Sequence, residues 1–382
     1  MKKKLIKEVK HSFKAHFKTK PCIVYSPGRI NLIGEHTDYN DGFAFPAAID
    51  KGIILAIDIS GDDTCKIFAL NKEELYEFRI EDVRPLENGG WRNYALGVVG
   101  ELIKIGKVVG GFNAVFAGDI PEGAGMSSSA ALENSFAFGL NELFDLGMTK
   151  LKMISISQKA EHNYVGVHCG IMDQYASMFG VKNSALLLDC RALESKPFKL
   201  DFKGYKIMII NTNVKHKLSE SAYNERRAVC EKVSKLLQID ALRDAKQSDL
   251  HTIKKDITEL DYQKALYILK ENERAKNFSK AILKEDIQAL GSLLFESHNG
   301  LSKEYQVSCE ELDFLVDLAK NNVDVPGARM MGGGFGGCTI NLVKKEGFKA
   351  FKQEVSNKFR AKFKKDCTVF SVKLSRGTQV IK

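Results

Sequence analysis

The stretch Gly118-Asp-Ile-Pro-Glu-Gly-Ala-Gly-Met-Ser-Ser-Ser-Ala-Ala-Leu-Glu133 constrains this chain more than any other. The apolar run Phe112–Ala117 before it reads as a strand, and Pro121-Glu-Gly ends that strand. Gly123 and Gly125 permit positive φ angles and leave room for a ligand near the backbone. Three serines follow, and from Ala130 to about Leu146 the pattern is helical. A glycine-rich turn opening onto a helix offers unpaired N–H groups and the positive end of the helix dipole, which together suit a phosphate. The serine hydroxyls add donors and a candidate metal ligand. A plain serine N-cap after a glycine turn is the alternative; two glycines, three serines and the strand–turn–helix setting favour phosphate.

Two familiar phosphate loops are excluded. A Walker loop ends in Gly-Lys-Ser/Thr, and no lysine follows Gly125. A dinucleotide fingerprint requires glycine at the position of Ser128. The formal G-x-G-x-x-G at Gly332, Gly334 and Gly337 precedes a strand pattern rather than a helix, so it is not a Rossmann turn. Protein-kinase signatures are also absent.

Three further segments are dense in chemistry. Ser26–Gly42 carries Arg29, Asn31, Glu35, His36, Asp38 and Tyr39 on what reads as a short irregular stretch. Such acceptors and donors suit a ligand rich in hydroxyls, such as a sugar; solvated loop acids and a structural histidine are the alternative. In Gln158–Gln174, Glu161 stands near the end of a helix expected over Thr149–Val165, with Thr149 as its N-cap, and Asp173 follows a glycine turn. A carboxylate beside a phosphate loop can serve Mg²⁺, and a second one near an arginine can activate a hydroxyl. Gly332–Gly337 has five glycines in six residues, which points to a backbone passing close to another segment or a ligand.

The 382 residues, 44% of them hydrophobic, predict a sizeable core and two domains of mixed α and β structure, residues 1–180 and 181–382. No apolar run has the length of a signal-peptide core or a membrane span. The eight cysteines lack metal-ligand spacing and read as reduced thiols of a cytoplasmic protein. The net charge of +9 comes without a nucleic-acid motif and at most draws a polyanion such as ATP. No long exposed apolar stripe is evident, which favours a monomer.

These segments together resemble the galactokinases, within the superfamily that includes homoserine, mevalonate and phosphomevalonate kinases. Pro27–Gly42 is similar to the galactokinase signature, Gly123–Ser129 to the superfamily's ATP loop, and Gly332–Gly337 to its third motif. Cys169–Gln174 and Glu220–Arg227 also match in order and spacing. The resemblance implies an α+β, two-domain sugar kinase: an N-terminal mixed α/β domain, a C-terminal α+β domain and an active site between them. It implies ATP-dependent phosphorylation of D-galactose at the 1-hydroxyl, with N-acetylgalactosamine or arabinose as competing acceptors. By the same resemblance Asp173 is the catalytic base and Arg29 stabilises the transferring phosphoryl group. Glu35, His36, Thr37, Asp38, Asp173 and Tyr223 hold the sugar, and Gly123, Ala124, Gly125, Met126, Ser127, Ser128 and Ser129 wrap the triphosphate. Ser129 and Glu161 hold Mg²⁺, and Trp91 lies in a segment similar to one near the adenine. A non-catalytic sensor of galactose and ATP is the other class this resemblance allows; the Ser129-Ala130 pair, whose loss marks such relatives, is present here.

Overall fold

A computed structural model describes residues 2–121, 123–215 and 219–381. Its first sheet has six strands in the order Gln379–Val380, Cys22–Asn31, Pro46–Ile59, Phe112–Gly118, Thr64–Ala69 and Glu74–Arg79. All pairs are antiparallel except Thr64–Ala69 beside Phe112–Gly118. Side chains alternate across the two faces of this sheet, as the twofold period of a strand requires. Val24, Leu55, Ile57, Ala114 and Phe116 share a core with the helices Trp91–Lys104, Ser128–Leu143, Lys150–Ala160 and Met172–Phe179. Ile23, Tyr25, Ile54, Ala56, Val115 and Ala117 face the other way, under Val9 and Phe13 of the helix Lys2–Phe17.

The second half builds an antiparallel sheet in the order Gly327–Met331, Gly336–Lys344, Tyr205–Lys215 and Thr368–Phe370. Helices Glu310–Lys320 and Phe348–Phe363 pack on it through Leu315, Val316, Phe351, Val355 and Phe359. Helices Ser219–Leu236 and Glu259–Leu283 form a third cluster around Cys230, Tyr267 and Tyr305. A small sheet of Phe43–Ala44, Ser184–Asp189 and Glu194–Lys199 joins the two halves. The first core continues without a break into Ile209, Phe278, Met331 and Ile340, so the loops that meet over it are held by one packed body.

Several local expectations need correction. The first part of Ser26–Gly42 is not irregular: Cys22–Asn31 is a buried strand. A register shift against the neighbouring strand falls between Pro27 and Arg29. The helix Lys2–Phe17 is hidden by its lysine-rich composition, because Leu5, Ile6, Val9, Phe13 and Phe17 keep helical spacing among the lysines. The helix after Thr149 has the predicted cap, Thr149 accepting from the Lys152 N–H at 3.2 Å. It stops at Ala160, and its last turn, Glu161–Val165, widens into a π-turn closed by Gly166. All eight cysteines are free thiols, and no helix among the described residues is long and apolar enough to cross a membrane.

Candidate active site

The serine loop takes its shape from three left-handed residues, Gly123, Gly125 and Ser127. Ser127 occupies the N-cap position of the helix Ser128–Leu143, yet its hydroxyl does not cap that helix. It donates instead to Asp173 Oδ2. The N–H groups of the first turn therefore stay available to a ligand. The glycine run Gly332–Gly337 crosses directly over this loop. A Cβ on Gly125 would sit 3.1 Å from the Met331 carbonyl oxygen, and one on Gly332 would sit 3.1 Å from that of Gly125. Both residues also have positive φ, so glycine serves the crossing twice over. Of the two options the sequence left open, the neighbour is another chain segment.

The register shift at Pro27 and Gly28 presses the first strand against the same loop. The Arg29 N–H donates to the Met126 carbonyl at 3.1 Å. The buried Arg29 side chain then pairs with Asp173 through two parallel bonds, Nε to Oδ1 at 2.7 Å and Nη2 to Oδ2 at 2.8 Å. Its Nη1 donates to the Gly125 carbonyl. Burial pulls the Arg29 pKa down, but Asp173, Glu35 and Asp38 more than offset this and leave it above its ordinary value. The result is a fixed positive charge between the serine loop and a carboxylate.

A polar cavity of about 130 Å³ opens beside this pair, with Arg29, Glu35, His36, Asp38, Glu161, Asp173 and Tyr223 among its lining residues. Glu35 is anchored from behind: its Oε1 accepts from Arg329 Nη2 at 3.1 Å and from the Gly332 N–H at 2.7 Å. His36 has positive φ, and its Nδ1 lies 2.8 Å from the Tyr39 hydroxyl. The Tyr223 ring covers His36 with ring centres 5.3 Å apart. Thr37 stands outside the cavity, its hydroxyl donating to the carbonyls of Gly34 and Phe43.

Burial, and then the facing Asp173 and Glu35, push the Asp38 carboxyl up to about 7 from 3.8. A carboxyl raised on folding binds a proton that the unfolded chain releases. It therefore costs stability progressively as pH climbs from the lower value to the higher one, and a constant amount above. Asp38→Asn removes this dependence. In thermal melts across pH 4–8 the Tm difference is expected to move in the variant's favour as pH rises, and parallel curves would contradict the assignment.

A second acidic corner adjoins the loop. The Glu161 carboxylate accepts from Gln174 Nε2 at 2.8 Å and is hydrogen-bonded to Ser129. The same Gln174 nitrogen donates to Glu133 Oε2 at 3.2 Å, while the fully buried Glu133 Oε1 has no partner. Burial first, and the neighbouring acids second, push Glu161 up to about 7 and Glu133 well above its ordinary value. Two carboxyls, one with an orphaned oxygen, and a hydroxyl form a corner short of positive charge, which is what an oxygen-loving cation relieves. Beyond Ser128 and Ser129 lies a cavity of about 680 Å³, lined also by Asn71, Lys72, Trp91 and Tyr164. Trp91 Nε1 donates to Glu74 Oε2 at 2.9 Å, which fixes the ring in that wall.

Three family models match this chain: the galactokinase galactose-binding signature over residues 11–59, the N-terminal domain of GHMP kinases over 93–181 and the C-terminal domain over 278–361. A curated galactokinase from Thermotoga neapolitana is 41% identical, the match covering 94% of this chain and 99% of that protein. One from Clostridium acetobutylicum is 37% identical, with 99% and 98% covered. The chain belongs to the galactokinase family. The crystal structure of Lactococcus lactis galactokinase complexed with galactose superposes with a TM-score of 0.94 at 33% identity, covering 98% of this chain and 100% of that one. Methanococcus jannaschii mevalonate kinase, 19% identical with a TM-score of 0.65 over 94% of this chain and 100% of that one, shares the fold.

The arrangement includes residues that the sequence motifs did not single out. Gln174 and Glu133 frame Glu161, and Arg329 anchors Glu35. One signal was available for Glu133, which follows Ser129 by four residues on one helix and so shares its face. Arg329 stands at the head of the glycine run, but nothing in the sequence couples it to Glu35.

Proposed function

We propose that this protein transfers the γ-phosphoryl group of ATP to the 1-hydroxyl of D-galactose, giving galactose 1-phosphate and ADP, the first committed step of galactose use by the Leloir pathway. The observation that carries this reading is the two-bonded Arg29–Asp173 pair, placed where the small polar cavity meets the serine loop. Galactose occupies that cavity among Glu35, His36, Asp38 and Tyr223. The triphosphate lies along Gly123–Ser129, with the adenine in the larger cavity walled by Trp91.

A carboxylate has about four lone-pair positions. Arg29 and Ser127 take three of those on Asp173, and the fourth is left for the sugar hydroxyl. Asp173 accepts the proton of the 1-hydroxyl, the sugar oxygen bonds to the γ-phosphorus, and the bond to the β–γ bridging oxygen breaks. Such a transfer passes through a loose transition state, so placement and charge supply most of the catalysis. The held Arg29 guanidinium and the N–H groups of the serine loop stand ready for the charge that develops, without rearranging. Ser129 and Glu161 would hold Mg²⁺ beside the phosphates. When bound, the ion supplies charge neutralisation at the β- and γ-oxygens.

An assay of ADP release with Mg-ATP tests the reading on D-galactose, N-acetylgalactosamine, L-arabinose and glucose in parallel. Turnover is expected to be strongest on galactose, with phosphorus NMR placing the product phosphate on the 1-oxygen. EDTA is expected to abolish turnover and added Mg²⁺ to restore it. Preference for another sugar would overturn the acceptor, and ligand binding without turnover would make the protein a sensor. The large exposed apolar side chains, such as Ile59, Val108, Leu283 and Val323, are scattered along the chain, which supports a monomer.

A further inference from the structure

Glu35, His36 and Asp38, which line the small polar cavity, all stand on the loop between Gly34 and Phe43. The chain is already joined beneath that loop: the Leu32 N–H donates to the Phe45 carbonyl at 3.0 Å, and the Phe45 N–H to that of Ile33 at 2.9 Å. Beyond this join, three side chains grip the neck of the loop. Glu271 Oε1 accepts from the Gly34 N–H at 2.9 Å, and Asn272 Oδ1 accepts from the Phe43 N–H at 2.8 Å. The Thr37 hydroxyl bridges the same two ends from within, 2.9 Å from the Gly34 carbonyl oxygen and 2.8 Å from that of Phe43. We propose that Thr37, Glu271 and Asn272 form a clamp that sets where Glu35, His36 and Asp38 stand, which makes all three positioning residues for the sugar. The inference rests on the galactose reading of that cavity.

Glu271 and Asn272 are neighbours on the helix Glu259–Leu283, so one rigid element holds both ends of the loop at a fixed separation. Glu271 is fully buried and is itself held, accepting from Arg274 Nε at 2.6 Å and from Ser297 Oγ at 2.7 Å. The Tyr267 hydroxyl of the same helix donates to the Glu35 carbonyl at 3.1 Å. Inside the loop the Thr37 carbonyl accepts from the N–H groups of Asn40 at 3.0 Å and Gly42 at 2.8 Å. The neck is also tight: a Cβ on Gly34 would collide with the Phe43 carbonyl oxygen, and one on Gly42 with Asn272 Oδ1. None of the three clamp residues lines the cavity, so their effect on the sugar passes through the loop. Bonds that merely satisfied buried polar groups would cost stability when lost and leave the fit of a ligand alone. Here the chain is joined beneath the loop without them, so their loss frees the loop rather than the sheet. A misplacement of about 1 Å at a site can cost roughly 10²-fold.

Thr37→Val keeps the branched shape and removes both hydroxyl bonds, while Asn272→Leu removes the acceptor at Phe43. Each is expected to raise the galactose KM about tenfold, with a smaller effect on kcat and none on the KM for ATP. Thr37→Ser keeps the hydroxyl and Asn272→Asp keeps the acceptor, so both are expected to stay near the wild type. Hydrogen–deuterium exchange of the full chain without ligands adds a readout independent of turnover. Peptides within residues 34–43 are expected to exchange faster in Thr37→Val and Asn272→Leu, and those of the strand Pro46–Ile59 at the wild-type rate. A galactose KM unchanged in both variants would overturn the proposal. So would exchange that quickens in the strand as much as in the loop, or a failure of both variants to fold, since either makes the bonds structural. If galactose is not the acceptor, the wild type shows it before any variant is compared, which keeps that failure distinct from failure of the clamp.

Discussion

Asp173→Asn is expected to lower kcat by about 10³-fold or more. The substitution is nearly isosteric, so the loss is one of charge and proton acceptance. An amide at this position accepts through one oxygen only, whereas the carboxylate takes Arg29 Nε, Arg29 Nη2 and the Ser127 hydroxyl. Its NH₂ group must face one of these donors. On the proposed mechanism the 1-hydroxyl then loses its proton acceptor, and the guanidinium loses the counter-charge that holds it beside the serine loop. Removing one member of a buried ion pair costs about 3–5 kcal/mol. The Asp173 side chain is 26% exposed, so solvent offsets part of that here. The variant is therefore expected to fold with a lowered Tm. Initial rates at saturating galactose and Mg-ATP, with a circular-dichroism melt, separate the two effects. A folded variant with kcat within tenfold of the wild type would remove Asp173 from the proton transfer.

The contrast between Ser127 and Gly125 shows what was legible in the sequence. Glycines and serines in a strand–turn–helix setting announce themselves locally, because positive φ and a bare helix start are properties of a few adjacent residues. The serine loop, the Thr149 cap and the close passage at Gly332–Gly337 could all be read that way. The direction in which the Ser127 hydroxyl points could not, because it depends on Asp173, 46 residues onward. The strand Cys22–Asn31 was obscured by Pro27 and Gly28, beside which the register shifts. Gln174 was visible only as the neighbour of Asp173. Its nitrogen bridges two carboxyls because the helix Met172–Phe179 packs against Ser128–Leu143, a tertiary contact with no local signature.

Arg329→Leu is expected to give the largest loss of stability. Arg329 is fully buried, and its guanidinium donates to the carbonyls of Leu32 at 2.6 Å, Met330 at 2.8 Å and Asn31 at 2.6 Å, as well as to Glu35 Oε1. Leucine fills much of the volume but satisfies none of these four acceptors. It leaves the buried Glu35 carboxylate held by the Gly332 N–H without the guanidinium's charge. Stranding one charge of such a pair costs about 3–5 kcal/mol, expected as a fall in Tm of about 10 °C or more. Arg329→Leu combined with Glu35→Leu removes both charges and is expected to recover part of the loss, because what is costly is the unpaired carboxylate rather than the absent arginine. Melts of the two single variants and the double variant measure this. A double variant less stable than the sum of the singles would mean that the orphaned carbonyls, not Glu35, set the cost. Calorimetric titration adds the functional half. The same guanidinium ties the end of the Arg29 strand to Glu35 and, through Glu35, to the glycine run over the serine loop. On the proposed reading, in which the Glu35 carboxylate holds the sugar, galactose binding is expected to stay lost in the double variant even where stability returns.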